Sequence, residues 1–198
     1  GHILHEGRNL GEFYREQRER FSTFARAVHG GEITGVSGRA FESVVQIGIG
    51  GSDLGPRALY LALEGHQYSA AGASRRGPLL ETRFISNVDP DDATGVLRDL
   101  DPHTTLFVLV SKSGTTQETL TNEAFAINWL QDAGVSSPRK QIVAVTSETS
   151  PLARSSDYLD SFFIDDFIGG RYSSTSAVGG TILSLAYGPD LFDEILAG

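Results

Sequence analysis

Leu106-Phe107-Val108-Leu109-Val110-Ser111-Lys112-Ser113-Gly114-Thr115-Thr116-Gln117-Glu118-Thr119 is a continuous apolar run that stops in hydroxyls, a lysine and a glycine. Residues 106–110 lack period-two alternation and are rich in Val and Leu, the pattern of a strand covered on both faces in a parallel sheet. A helix start follows. Thr115 with Glu118 three residues later fits a capping box, and Leu120, Ala124 and Ile127 recur at helical spacing on one face. The first turn of such a helix offers free backbone N–H groups and the positive end of the macrodipole, so it attracts an anion. Ser111, Ser113 and Thr116 add hydroxyl donors, and Gly114 lets the backbone approach closely. The same residues also suit an ordinary strand-to-helix turn with Ser/Thr caps, and two further stretches bear on that choice.

Outward from this stretch, from Ser43 onward, apolar runs alternate with helical patterns, the sequence form of a parallel sheet wrapped by helices. Strands are expected at 43–49, 82–87, 105–110, 141–146 and 161–164, and helices at 55–65, 90–100, 116–132, 150–156 and 174–187. Residues 68–78 read as a loop whose Arg75-Arg76 pair is solubilising. Before the sheet, residues 9–28 predict a helix with Asn9 and Glu12 as a start signal. Phe13, Gln17, Phe21, Phe24, Ala25 and Val28 form its buried stripe, and Gly30-Gly31 ends it. Its arginines interleave with Glu12, Glu16 and Glu19, which reads as a solvated face with helical pairs such as Glu16 to Arg20.

Gly48-Ile49-Gly50-Gly51-Ser52-Asp53 begins like a dinucleotide fingerprint, but Asp53 stands where the third glycine would pack helix on strand, and no acidic residue follows at the needed spacing. A nucleotide site is therefore disfavoured, and no Walker A pattern exists. What Gly50-Gly51-Ser52 can do is bring N–H groups and a hydroxyl to a polar ligand at the carboxyl edge of the first strand, the edge where Ser111 to Thr116 also emerges. Arg171 follows the tight Gly169-Gly170 turn. Its guanidinium suits an oxyanion, although neighbouring Asp165 and Asp166 equally allow a paired surface charge. The five histidines show no ligand spacing, so no metal and no cofactor are expected.

Residues 111–119 resemble the signature loop of the sugar isomerase (SIS) domain. Residues 47–56 and the run Phe167-Ile168-Gly169-Gly170-Arg171-Tyr172-Ser173 resemble two motifs of the phosphoglucose isomerase family, in matching order and spacing. The resemblance implies a three-layer αβα fold with a five-stranded parallel flavodoxin-like sheet, with residues 1–40 a helical segment and residues 41–198 the SIS domain. It implies an aldose–ketose isomerase of glycolysis and gluconeogenesis that interconverts glucose 6-phosphate and fructose 6-phosphate through an enediolate and works as a homodimer when full-length. Ser111, Lys112, Ser113, Gly114, Thr115 and Thr116 are then expected to hold the phosphate with Thr119 in support, Gly51 and Ser52 to contact the sugar, and Arg171 to stabilise the oxyanion. The alternatives are a non-catalytic SIS module that senses a sugar phosphate, or a sister sugar-phosphate isomerase. Two departures stand out: Ser113-Gly114 where many of these isomerases carry Thr-Phe, and Ser174-Thr175 where larger apolar residues are common.

Composition sets the frame. A chain of 198 residues can hold one sizeable core, and a net charge of −9 argues against a nucleic-acid or anionic-membrane surface while allowing a small anion at converging donors. No apolar run approaches a membrane span. The lack of cysteine excludes disulfides and thiolate chemistry and fits a cytoplasmic setting. With no methionine either, Gly1-His2 reads as a vector-derived remnant and the chain as an excised piece. The family's proton-transferring glutamate and its ring-opening histidine and lysine match nothing here, so the chain alone is expected to hold half a pocket and to be inactive.

Overall fold

The computed structural model describes residues 4, 5, 7–69 and 79–198, and only the backbone of 65–69. Most of the loop expected at 68–78, with Arg75 and Arg76, lies outside the described residues, as does His2. A short hairpin, β1 (Leu4–His5) and β2 (Arg8–Asn9), leads into α1 (Leu10–His29), whose N-cap Asn9 accepts from the Gly11 N–H. The predicted stripe of α1 is buried in full.

Five parallel strands follow, β3 (Ser43–Ile47), β4 (Glu81–Ile85), β5 (Thr105–Val110), β6 (Ile142–Thr146) and β7 (Asp160–Phe163), in the order β4-β3-β5-β6-β7. This is the flavodoxin order, and β3 and β5 are adjacent and in register from Ser43 opposite Thr105 to Ile47 opposite Leu109. Strands β3, β5 and β6 are buried throughout, which explains their unbroken apolar runs.

Alternate residues feed two cores. Val44, Leu106, Val108, Val143 and Phe162 pack with α1, α2 (Leu54–Ser69), α5 (Ala177–Tyr187) and α6 (Pro189–Ala197). Val45, Phe107, Leu109 and Ile142 pack with α3 (Pro90–Leu97) and α4 (Gln117–Asp132), giving three layers.

Several details differ from expectation. The helix expected at 150–156 is a 3-10 turn, Pro151–Arg154. The one expected from 174 is a 3-10 turn, Gly170–Thr175, then α5, capped by Ser176. Helix α6 was not anticipated, although Gly188 at φ 94° followed by Pro189 in the first turn is a start signal. Three α1 arginines pair with acids of other elements and not with the helix's own glutamates: Arg18 with Asp193, Arg20 with Asp160 and Arg26 with Asp190, while Arg20 also donates to Gln17 one turn back. Helix α4 fully buries Thr119, Asn122, Glu123, Ala126 and Leu130, whereas Ala124 is exposed. Its inner face is half polar because Asn122 bonds the Asn87 carbonyl and Glu123 accepts from Tyr158 and Arg139. Among the described residues no helix is long and apolar enough to cross a membrane.

Candidate functional site

Connections leave β3 toward β4 on one side and arrive at β5 on the other, so the carboxyl ends of β3 and β5 flank the switch point where open parallel sheets bind ligands. The first wall is the 3-10 turn Gly50–Ser52 after β3. Gln46, fully buried in β3, donates from Nε2 to the Ser52 carbonyl at 2.8 Å and holds the turn against its strand. Asp53 closes the turn inward: its Oδ2 meets Arg57 at 2.7 Å, while Oδ1 is buried with no partner among the described residues. Burial pushes its carboxyl above the ordinary aspartate range, and Arg57 only partly opposes this. The position that spoiled the dinucleotide pattern is thus a buried helix-start acid.

The second wall is the loop from Ser111 to Thr116. The capping box does not form: α4 begins at Gln117, with Thr116 as N-cap and no side-chain cap bond. Instead the hydroxyls bond among themselves. Ser111 Oγ accepts from the Gly114 N–H at 3.2 Å and donates to Thr116 Oγ1 at 3.1 Å. Ser113 Oγ accepts from both the N–H and the hydroxyl of Thr115. Among the described residues neither the Ser113 nor the Thr116 hydroxyl donates to an acceptor, and the first N–H groups of α4 carry no side-chain cap. Gly114 sits at φ +67°, where a Cβ would stand 2.9 Å from Ser150 Oγ. The loop rests on the end of β6: Thr146 Oγ1 donates to the Ser111 carbonyl at 2.7 Å and the Ser147 N–H to the Lys112 carbonyl at 3.0 Å. Lys112 points its ammonium away, at the carbonyls of Asp166 and Ile168. Thr119 is buried in the first turn of α4.

The third wall is the turn after β7. Gly51 and Gly170 meet backbone to backbone, with a Cβ on Gly51 falling 2.5 Å from Gly170 Cα. Ser173 Oγ ties the two together through the carbonyls of Gly51 (3.1 Å) and Gly170 (2.8 Å). Arg171, next in the chain, is exposed and pairs with no acid among the described residues, Asp165 and Asp166 included. Ser174 packs against Gly55 so closely that its Oγ would lie 2.0 Å from a Cβ there, so position 55 has no room for a side chain beside it.

The three sequence motifs thus converge through Gly51–Gly170 and Lys112–Ile168, although no described contact joins Arg171 to the hydroxyl loop. Sequence reading missed the supporting layer of Gln46, Thr146, Ser147 and Ser150, and quoted Ser173 in its motif without a role; a threonine and serines at the end of β6 were the signal for the rest. An apolar groove of about 420 Å³ adjoins the third wall where α1 and α6 pass it, lined by Phe21, Phe163, Ile168, Tyr172 and Phe192. Among the described residues no cluster of three acids or histidines could hold a metal.

A flavodoxin-ordered sheet with glycine and hydroxyl loops at its switch point, and next to the glycine turn an arginine that pairs with no acid among the described residues, makes this an α/β domain suited to a small anionic ligand. A family model described as phosphoglucose isomerase matches residues 2–198. The glucose-6-phosphate isomerase of Treponema pallidum (strain Nichols) is 56% identical over 193 residues, covering 98% of this chain and 35% of that protein. That of Treponema denticola is 50% identical over 196 residues, covering 99% and 35%. The crystal structure of a glucose-6-phosphate isomerase from Chlamydia trachomatis superposes with a TM-score of 0.84 at 39% identity, covering 99% of this chain and 34% of that one. The chain belongs to the phosphoglucose isomerase family. It spans about a third of the length of the curated relatives it matches.

Proposed function

We propose that this chain is one part of a glucose-6-phosphate isomerase and supplies the phosphate-binding and oxyanion side of its active site. Residues 1–40 are a helical segment docked on an SIS domain of residues 41–198, and the full-length enzyme works in the cytoplasm as a homodimer. The substrates are glucose 6-phosphate and fructose 6-phosphate.

The observation that carries this reading is the uncapped start of α4 beside two hydroxyls, Ser113 and Thr116, which donate to no acceptor among the described residues. A phosphate there accepts from those hydroxyls and from the backbone N–H groups of Lys112, Ser113 and Thr116, those of Gly114 and Thr115 being taken up inside the loop, with Gly114 giving access and Thr115 orienting Ser113. Ser111 orients Thr116, and Thr119 backs the first helical turn. Gly51 and Ser52 meet the sugar at the β3 edge. Isomerisation moves a proton between adjacent sugar carbons through an enediolate. A fixed guanidinium next to the developing oxyanion binds the transition state better than the ground state, which is the role assigned to Arg171. The glutamate that moves the proton, and the ring-opening histidine and lysine, belong to the remainder of the enzyme.

Calorimetric titration of the chain and of the full-length protein with glucose 6-phosphate, against Ser113→Ala, tests the placement. Loss of one hydroxyl donor to a dianion weakens binding by about 1–3 kcal/mol, with inorganic phosphate competing for the same site. Unchanged binding in the full-length Ser113→Ala variant would move the phosphate elsewhere.

A further inference from the structure

Lys112 sits inside the hydroxyl loop, where a cation invites assignment to the phosphate, yet its ammonium lies 3.1 Å from the Asp166 carbonyl and 3.1 Å from the Ile168 carbonyl. Two of its three donors are thus engaged by backbone on the far side of the sheet edge. Those carbonyls belong to a turn with its own internal bonds: the Phe167 N–H donates to Asp165 Oδ1 and the Ile168 N–H to the Asp165 carbonyl. Directly after this turn come Gly169, Gly170 and Arg171. The Arg171 segment is therefore held at two points, by Lys112 on its approach and by Gly51 and Ser173 on its exit. The Lys112 backbone is itself anchored, its carbonyl accepting from the Ser147 N–H.

We propose that Lys112 is a positioning residue that acts through Arg171, a strut between the phosphate loop and the arginine turn, and that its side chain does not bind the phosphate. The inference rests on the isomerase reading for Arg171. It follows that anchoring the substrate phosphate on residues 111–116 also fixes where the arginine turn lies. Misplacement of a catalytic group by about 1 Å lowers turnover on the order of a hundredfold. The ammonium takes neutral carbonyls and no described carboxylate, so the strut depends on donor geometry more than on charge.

The test uses Lys112→Met, which keeps a long apolar stem without donors, and Lys112→Arg, which restores donors, in the full-length protein. Expected for Lys112→Met is a kcat loss of about tenfold or more with the inhibition constant for inorganic phosphate unchanged within about twofold. Lys112→Arg should recover part of that loss. Combined with Arg171→Lys, Lys112→Met should add little further loss, because the two act in series. A phosphate inhibition constant raised tenfold, or fully additive losses, would overturn the strut. Hydrogen exchange on the full-length protein separates the two hypotheses. Faster exchange at residues 165–172 in Lys112→Met supports the strut even if the wild-type full-length protein shows no isomerase turnover, which would sink the functional reading alone. Unchanged exchange there overturns the strut; if Lys112→Met fails to fold, Lys112→Arg decides, faster exchange at residues 165–172 with the phosphate inhibition constant unchanged supporting the strut and a tenfold raised inhibition constant overturning it.

Discussion

Gly51 and Gly170, 119 positions apart in the chain, touch through their backbones, and a Cβ on Gly51 would stand 2.5 Å from Gly170 Cα and 2.8 Å from its carbonyl oxygen. The contact is between two main chains, so neither can step aside as a flexible side chain would. Gly51→Ala is expected to destabilise the chain by about 1–3 kcal/mol through overpacking and to lower full-length turnover on the order of a hundredfold by displacing the Arg171 turn. Urea denaturation and steady-state kinetics measure the two effects. Wild-type values in both would show that the turns can separate freely.

Gly114→Ala combines two costs. A residue with a Cβ at φ +67° costs about 1–2 kcal/mol, and the new methyl meets Ser150 Oγ, which Thr146 and the Ala153 N–H already hold in place. A total of about 2–5 kcal/mol is expected, read as a fall in Tm of about 4–20 °C for a chain of this size. Phosphate affinity should fall with it, since the loop must open to fit the methyl.

Asp53 provides a pH signature. Its folded carboxyl is raised, first by burial and against the pull of Arg57, so the folded state holds the proton more tightly than the unfolded chain does. Stability attributable to this residue is therefore highest below the ordinary aspartate value near about 3.9, falls as pH rises toward the folded value, and stays low above it. Asp53→Asn abolishes that slope. Its stability relative to wild type, from urea melts, should be greater at about pH 7 than at about pH 3.5. The reverse trend would mean that the Arg57 pair outweighs burial.

Phe21 tests whether α1 melts with the sheet. It is 2% exposed, packs edge-on against Phe162 of β7 and Phe192 of α6, and lies over Gly180 of α5. Phe21→Ala is expected to cost about 3–5 kcal/mol in a single shifted transition. Loss of α1 alone, with the sheet's transition unmoved, would show that residues 1–40 are an independent unit.

The apolar runs at 43–47, 105–110 and 142–146, the Asn9 start of α1 and the glycine and hydroxyl turns were legible in the sequence because each rests on local causes: period, burial on both faces, and turn chemistry. Chain order alone also placed Gly51 and Ser111 to Thr116 just after strand ends, and Arg171 in the connection that follows the last strand. What only the tertiary structure decided were relations across long stretches of chain. The Gly51–Gly170 contact, the turn of Lys112 toward Ile168, the pairing of Arg18, Arg20 and Arg26 with Asp193, Asp160 and Asp190, and the polar inner face of α4 are of this kind. Local periodicity gives each such side chain several equivalent partners. Asp160 or Glu16 both suit Arg20, and only the packing of α1 beside β7 brings the first within 3.2 Å. The same holds for Thr115: its capping box was a valid local solution, lost because Ser111 to Thr116 bonds within itself and rests on β6, where Thr146 meets Ser111 from 35 residues away.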